Sequence, residues 1–258
     1  MFRYAEYLAL AKDLAYQAGD IMVDGREQEL HVERKPDGTL VTNIDYAVSD
    51  LTIDSLHRVF PSHRIKGEER SLNSDSEEIW DFDPLDGTGE YVHGENALLL
   101  TCGFGIAKRK GNEIEVGLFY NPFRNEMYTA IRGLGAFLND QRIQVNQTPF
   151  GPGIAYDYSS WDSAPVDTHK LESHLGPPLN HYSAIYQGCQ VAAGNSAFSV
   201  FPGRTAHDIV PAAIIVSEAG GRVTDLDNRM HNWSVNLTGA VFSNGVVHDG
   251  VLNVLRST

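Results

Sequence analysis

Cysteine is almost missing from this chain of 258 residues, which has only Cys102 and Cys189. So few thiols exclude a disulfide-stapled scaffold, and neither has partners at zinc-ligand spacing. Both lie among small or apolar neighbours and read as buried free thiols of a reducing compartment, so a cytoplasmic protein is expected. Basic charge is scarce as well. Against 34 Asp and Glu stand 20 Lys and Arg, a formal net charge of −14, which argues against binding a nucleic acid polymer through its phosphates. No apolar run is long enough to span a membrane. The opening stretch MFRYAEYLALAKDLAYQAGD has acids and a lysine where a signal peptide needs an unbroken apolar core. Internal repeats and low-complexity tracts are missing too.

What is present suits an ordinary globular protein, with 42% hydrophobic and 21% charged residues. Tyr4, Leu8, Ala11, Leu14, Ala15, Ala18, Ile21 and Met22 recur at helical spacing and predict an amphipathic helix ending near Gly25. Residues 28–42 read as two short extended pieces around the turn PDG. Asn43 is the expected cap of a second helix running to Val59, with Asp45 in its first turn. Apolar runs from 97 to 148, punctuated by Gly, Asn and Pro, predict a mostly antiparallel sheet. PFGPG at 149–153 marks an expected boundary between subdomains 1–148 and 149–258 of a single unit. A late helix is predicted from Asp208 to Gly220–Gly221, with Pro211 in its first turn. The fold class is α+β, in layers of helices on sheets.

The chemistry concentrates in IWDFDPLDGTGEYVHG, residues 79–94. A short apolar strand runs into a turn made by Pro84, Gly87 and Gly89. Asp81, Asp83 and Asp86 crowd that turn, and carboxylates this close repel unless a cation neutralises them. Gly87 and Thr88 open a helix whose backbone N–H groups favour a phosphate. The residues alone leave two readings open, an acidic surface turn or metal-assisted phosphate chemistry. They do exclude an EF-hand loop, because Leu85 and Asp86 stand where that loop needs a ligand and a glycine.

The order RKPDGTLVTNID, GEE, WDFDPLDGTGEYVHG and HDIVPAAIIVSEAGGRVTD resembles the inositol monophosphatase family of magnesium-dependent, lithium-sensitive phosphomonoesterases. The resemblance spans nearly the whole chain and implies a layered αβαβα sandwich. It implies two or three Mg2+ ions held by Glu68, Asp83, the Leu85 carbonyl, Asp86 and Asp208. Asp45 and Thr88 would orient and deprotonate the attacking water, with Glu68 also in the catalytic set. The backbone N–H groups of Gly87 and Thr88 would hold phosphate oxygens, and Lys35 would stand near the substrate entrance. A small phosphorylated substrate and a homodimer are implied as well. Asp81 matches no family ligand and is read as structural.

The chain departs from the family pattern on the substrate wall. The late aspartate is usually preceded by Trp, and here by His207. Inositol-preferring members carry a glutamate seven residues before that aspartate, and here the position is Phe201. Because hydroxyl-binding contacts decide such specificity, the ester stays open among inositol monophosphate, histidinol phosphate, a sugar bisphosphate and a nucleotide bisphosphate. A second reading is a catalytically silent relative that binds metal and an anionic ligand.

Overall fold

The computed structural model describes residues 2–159, 166–203, 205–235 and 237–257. The first helix, α1 (Phe2–Gly25), buries Ala11, Leu14, Ala15, Ala18 and Met22 on one face, the stripe its spacing predicts. A hairpin follows, β1 (Val32–Arg34) on β2 (Leu40–Thr42), turning at Gly38 with φ +90°. Next comes α2 (Asn43–Val59). Its cap is Thr42, one residue before the expected Asn43. The Thr42 hydroxyl accepts the Ile44 N–H at 3.1 Å, and Asp45 returns a carboxylate to the Thr42 N–H at 2.8 Å. That reciprocal box satisfies more N-terminal donors than Asn43 would from inside the helix.

The large sheet has eight strands. Its members are β3 (Arg64–Gly67), β4 (Ser71–Leu72), β5 (Glu78–Asp86), β6 (Gly103–Lys110), β7 (Glu113–Asn121), β8 (Glu126–Ile131), β9 (Gly135–Leu138) and β10 (Gln141–Ile143). All neighbours pair antiparallel except β3 and β5. The register between β5 and β6 shifts between Asp83 and Asp86. This bulge breaks the alternation that would send successive carboxylates to opposite faces. A short helix, α3 (Thr88–His93), starts directly after it. The expected strand at ALLLT does not form: Ala97–Leu99 is a 3-10 turn capped by Asn96, with Leu98 and Leu99 exposed. Its side chains lack a covered face to pack on, so the Asn96 cap decides the local geometry.

The second sheet has four strands, β11 (Tyr156–Tyr158), β12 (Phe198–Phe201), β13 (Arg222–Thr224) and β14 (Ala240–Ser243), with β14 between β12 and β13. Helices α5 (Ala184–Ala192) and α6 (Ala206–Glu218) lie between the two sheets. Helices α4 (Lys170–Leu175) and α7 (His248–Arg256) cover the outer face of the small sheet, as α1 and α2 cover that of the large one. The result is five layers, αβαβα. Gly117 on β7 lets α6 sit this close, since a Cβ there would meet Ile214 Cγ2 at 2.3 Å. Pro211 falls in the second turn of α6 rather than the first, because the helix begins at Ala206.

Candidate metal and phosphate site

Two stretches of chain bring their acids to one place. Asp83 and Asp86 come from the bulged end of β5, and Asp208 from the first turn of α6. One carboxylate oxygen from each lies within 4.8 Å of the others. These residues are 2%, 5% and 7% exposed, so water screens their mutual repulsion poorly. Burial pushes the Asp83 pKa well up, and Glu68, Asp86 and Asp208 push it further. Oxygen donors concentrated in this way match a hard divalent cation, and among the described residues no His or Cys joins the group. The donor set therefore fits the magnesium that the sequence implies.

Each acid is held by a device built from local sequence. The Asp86 carboxylate accepts the Ser183 hydroxyl at 2.5 Å and the N–H groups of Ala184 and Ile185 at 3.1 and 2.6 Å. These donors form the start of α5, where backbone N–H groups lack helical partners. Asp208 accepts the Thr205 N–H and hydroxyl at 2.9 and 2.8 Å, within the capping box of α6. Asp83 accepts the Leu85 N–H at 3.0 Å. Gly87 holds φ +88° between β5 and α3, a left-handed conformation that favours glycine.

Asp45 lies fully buried beside this cluster. Burial raises its pKa to about 6, against the opposing hydrogen bonds from Thr42 and Thr88. The Thr88 hydroxyl is 3.1 Å from Asp45 Oδ1 and 2.9 Å from the Leu85 carbonyl. It has one proton to donate, and the ionised carboxylate is the stronger acceptor. Lys35, at the tip of the hairpin, donates to Glu68 at 2.7 Å and to Glu69 at 2.5 Å. A cavity of about 270 Å³ joins Glu68, Asp83, Asp86, Thr88 and Asp208.

The structure thus gathers Asp45, Glu68, Asp83, Leu85, Asp86, Gly87, Thr88 and Asp208, with Lys35 attached through Glu68. Phe201 is a correction to the expected substrate wall. It is fully buried in β12 and packs edge-to-face on Phe242, with ring centroids 5.2 Å apart. Helices cover both faces of that strand, and burying a phenyl ring is worth about 2–3 kcal/mol, so the ring goes inward. His207 contacts Thr205 Oγ1, its Nε2 lies 3.7 Å from Asp208 Oδ2, and it lines a neighbouring cavity of about 490 Å³ with Lys66 and Asp81. Asp81 is structural, paired at 2.5 Å with the buried Arg109 guanidinium. Sequence reasoning passed over Ser183, Thr42, Thr205 and Tyr182. The two threonines carry a readable signal, T-x-x-D ahead of a helix. Tyr182, 70% exposed on the cavity wall, carries none.

A family model described as the inositol monophosphatase family matches residues 3–257. Inositol monophosphatase 2 of Solanum lycopersicum is 30% identical, over 98% of this chain and 99% of its own. The Nus factor SuhB of Pasteurella multocida is 32% identical, over 85% of each chain. The solved structure of the Thermotoga maritima IMPase superposes with a TM-score of 0.87 at 29% identity, covering 97% of this chain and 96% of that one.

Proposed function

Because the chain belongs to the inositol monophosphatase family, we propose that it is a Mg2+-dependent phosphatase of a small phosphate monoester, inositol monophosphate or a related one. The observation that carries this reading is the meeting of the buried Asp83, Asp86 and Asp208 carboxylates beside the Asp45–Thr88 pair. Asp83, Asp86, Asp208, Glu68 and the Leu85 carbonyl would hold two or three ions. Bound there, the cations supply charge stabilisation at the phosphate oxygens and ease deprotonation of water.

The protein's own groups do the rest. The ionised Asp45 takes the Thr88 proton as a hydrogen bond, which turns the lone pairs of that hydroxyl toward the cavity. Thr88 then accepts a hydrogen bond from an incoming water and orients it, while Asp45 draws the proton away. A base with a pKa of about 6 suits that task near neutral pH. The N–H groups of Gly87 and Thr88 are the proposed donors to the phosphate. No cysteine nucleophile is available for a covalent route: the described Cys102 and Cys189 are buried, and burial raises both thiol pKa values well above the usual range. Lithium inhibition, a homodimer and a cytoplasmic location belong to the same proposal. Phe201, which stands where inositol-preferring members carry a glutamate, is buried, so the ester is best found by screening.

A panel of phosphate monoesters, assayed with and without Mg2+, tests the reading. At least one should release phosphate only with the ion, and Asp83→Asn should cut that rate by about a thousandfold, roughly 4 kcal/mol of barrier. Undiminished turnover by the mutant would refute the assignment. Binding of Mg2+ without turnover of any ester would favour the silent relative.

A further inference from the structure

Tyr182 stands on the wall of the cavity that holds the carboxylates, and it is 70% exposed. No described residue stacks on its ring or bonds its hydroxyl. The backbone that carries it is pinned on both sides. His181 donates its N–H to Asp157 Oδ1 at 3.1 Å, and its Nδ1 lies 2.6 Å from Oδ2 of the same buried carboxylate. Gln187 donates to the His181 carbonyl at 2.5 Å. On the other side, Ser183 bonds Asp86 at 2.5 Å and caps α5. A tyrosine on so firm a support presents a flat face at little cost in entropy.

The remaining wall offers few groups to hold the alcohol part of an ester. Gly38, Thr39 and Leu40 of the β1–β2 hairpin line the cavity, with Gly89 of α3. A Cβ at Gly38 or Gly89 would meet nothing within 4 Å, so both border open space. The Thr39 hydroxyl gives its proton to Asp37 at 2.7 Å, and the Thr88 hydroxyl is engaged by Asp45. Among the described lining residues there is no Lys, Arg or His for a second anionic group. Tyr182 carries their one hydroxyl without a partner.

Building on the phosphatase reading, we propose that Tyr182 is a specificity-determining residue that stacks on a planar aromatic ring in the alcohol part of the substrate. The site then favours the phosphate of a nucleoside or of a simple aromatic alcohol over that of a polyol. Polyol hydroxyls brought against this wall would give up water with few side-chain donors to replace it. An aromatic ring needs only the face that Tyr182 presents. The cavity of about 270 Å³ has room for one, since about 150 Å³ already holds benzene.

Benzylphosphonate is the non-hydrolysable probe and cyclohexylmethylphosphonate its saturated control. Each is titrated calorimetrically into the full-length protein with Mg2+. The aromatic probe should bind about fivefold more tightly, the effect of one aromatic pair. Tyr182→Ala should bring the two to equal affinity, and Tyr182→Phe should keep the preference because the ring makes the contact. Kinetics separate the two sources of the ring. Of phenyl phosphate and adenosine 5′-monophosphate, the favoured type is the one whose KM rises about fivefold in Tyr182→Ala, the effect falling on KM rather than kcat. Equal binding of both probes, a preference that survives Tyr182→Ala or is lost in Tyr182→Phe, or a KM unmoved for both esters would overturn the proposal and leave the phosphatase reading standing. Binding of neither phosphonate to the native protein would overturn that reading along with it.

Discussion

His248 shows how far burial reshapes one side chain. Its two ring nitrogens meet the hydroxyls of Thr224 and Ser243, both at 2.8 Å, and the residue is fully buried. Desolvation, with Arg222 adding to it, pushes its pKa down to about 4 from the usual 6.5. The unfolded chain therefore binds the proton more readily, and stability falls as pH drops from about 6.5 to about 4. The difference of about 2.5 pKa units corresponds to a loss on the order of 3 kcal/mol. Urea unfolding across that window should show the slope in the native protein and a flatter one in His248→Gln; equal slopes would refute it. Phe201 makes a different point at the same scale. Its side chain occupies the core, so Phe201→Ala should cost about 3–5 kcal/mol of stability through the cavity it leaves. KM of the folded fraction should hardly move. A large KM change at unchanged stability would return Phe201 to the substrate wall. Sequence order put Phe201 seven residues before Asp208, but order alone does not show which way a ring in a doubly covered strand must face.

Among the elements, helix starts do much of the positioning. Thr42 and Thr205 cap α2 and α6, and the acids three residues on, Asp45 and Asp208, are site residues. The same carboxylate thus closes a capping box and faces the cavity. Thr205→Val removes the hydroxyl that bonds Asp208, so we expect a loss of about 1 kcal/mol in stability and a severalfold weaker affinity for Mg2+. Calorimetry of both quantities checks this; the affinity loss should persist at temperatures where the variant is fully folded. Asp86 is held instead by the start of α5, through Ser183 and two backbone N–H groups. Both helices with capping boxes were legible from period and composition, but their starts were displaced. The expected cap at Asn43 lost to Thr42 because only the latter completes the reciprocal box with Asp45. The start of α5 could not be read as a site element, since nothing in S-A-I-Y announces that it faces a turn about a hundred residues earlier.

For the whole molecule, the five layers matter because they bring the ends of β5, α2, α5 and α6 to one edge. The buried carboxylates repel one another there, and Lys35 on Glu68 and Glu69 is a cation at the margin. Binding of Mg2+ should relieve that repulsion. At a hundred times the dissociation constant, linkage gives about 2.7 kcal/mol, or a rise of roughly 5–10 °C in Tm for a chain of this size. Asp83→Asn should be at least as stable as the native protein without metal and should lose most of the shift. A Tm unmoved by Mg2+ in the native protein would count against the cluster as a metal site. No described helix is long and apolar enough to cross a membrane. The sequence by itself determined the helical stripes, the antiparallel run from β6 to β10 and the acid-rich stretch at 81–86, because periodicity and local composition act over a few residues; that this stretch is the bulged end of a strand rather than a turn came from its pairing with β6. Only the tertiary structure decided that Asp208 and Ser183 meet that stretch, that Phe201 points into the core, and that Tyr182 stands on the wall of the carboxylate cavity. Those outcomes depend on how layers distant in sequence pack, and packing energies are set by contacts that no local pattern encodes.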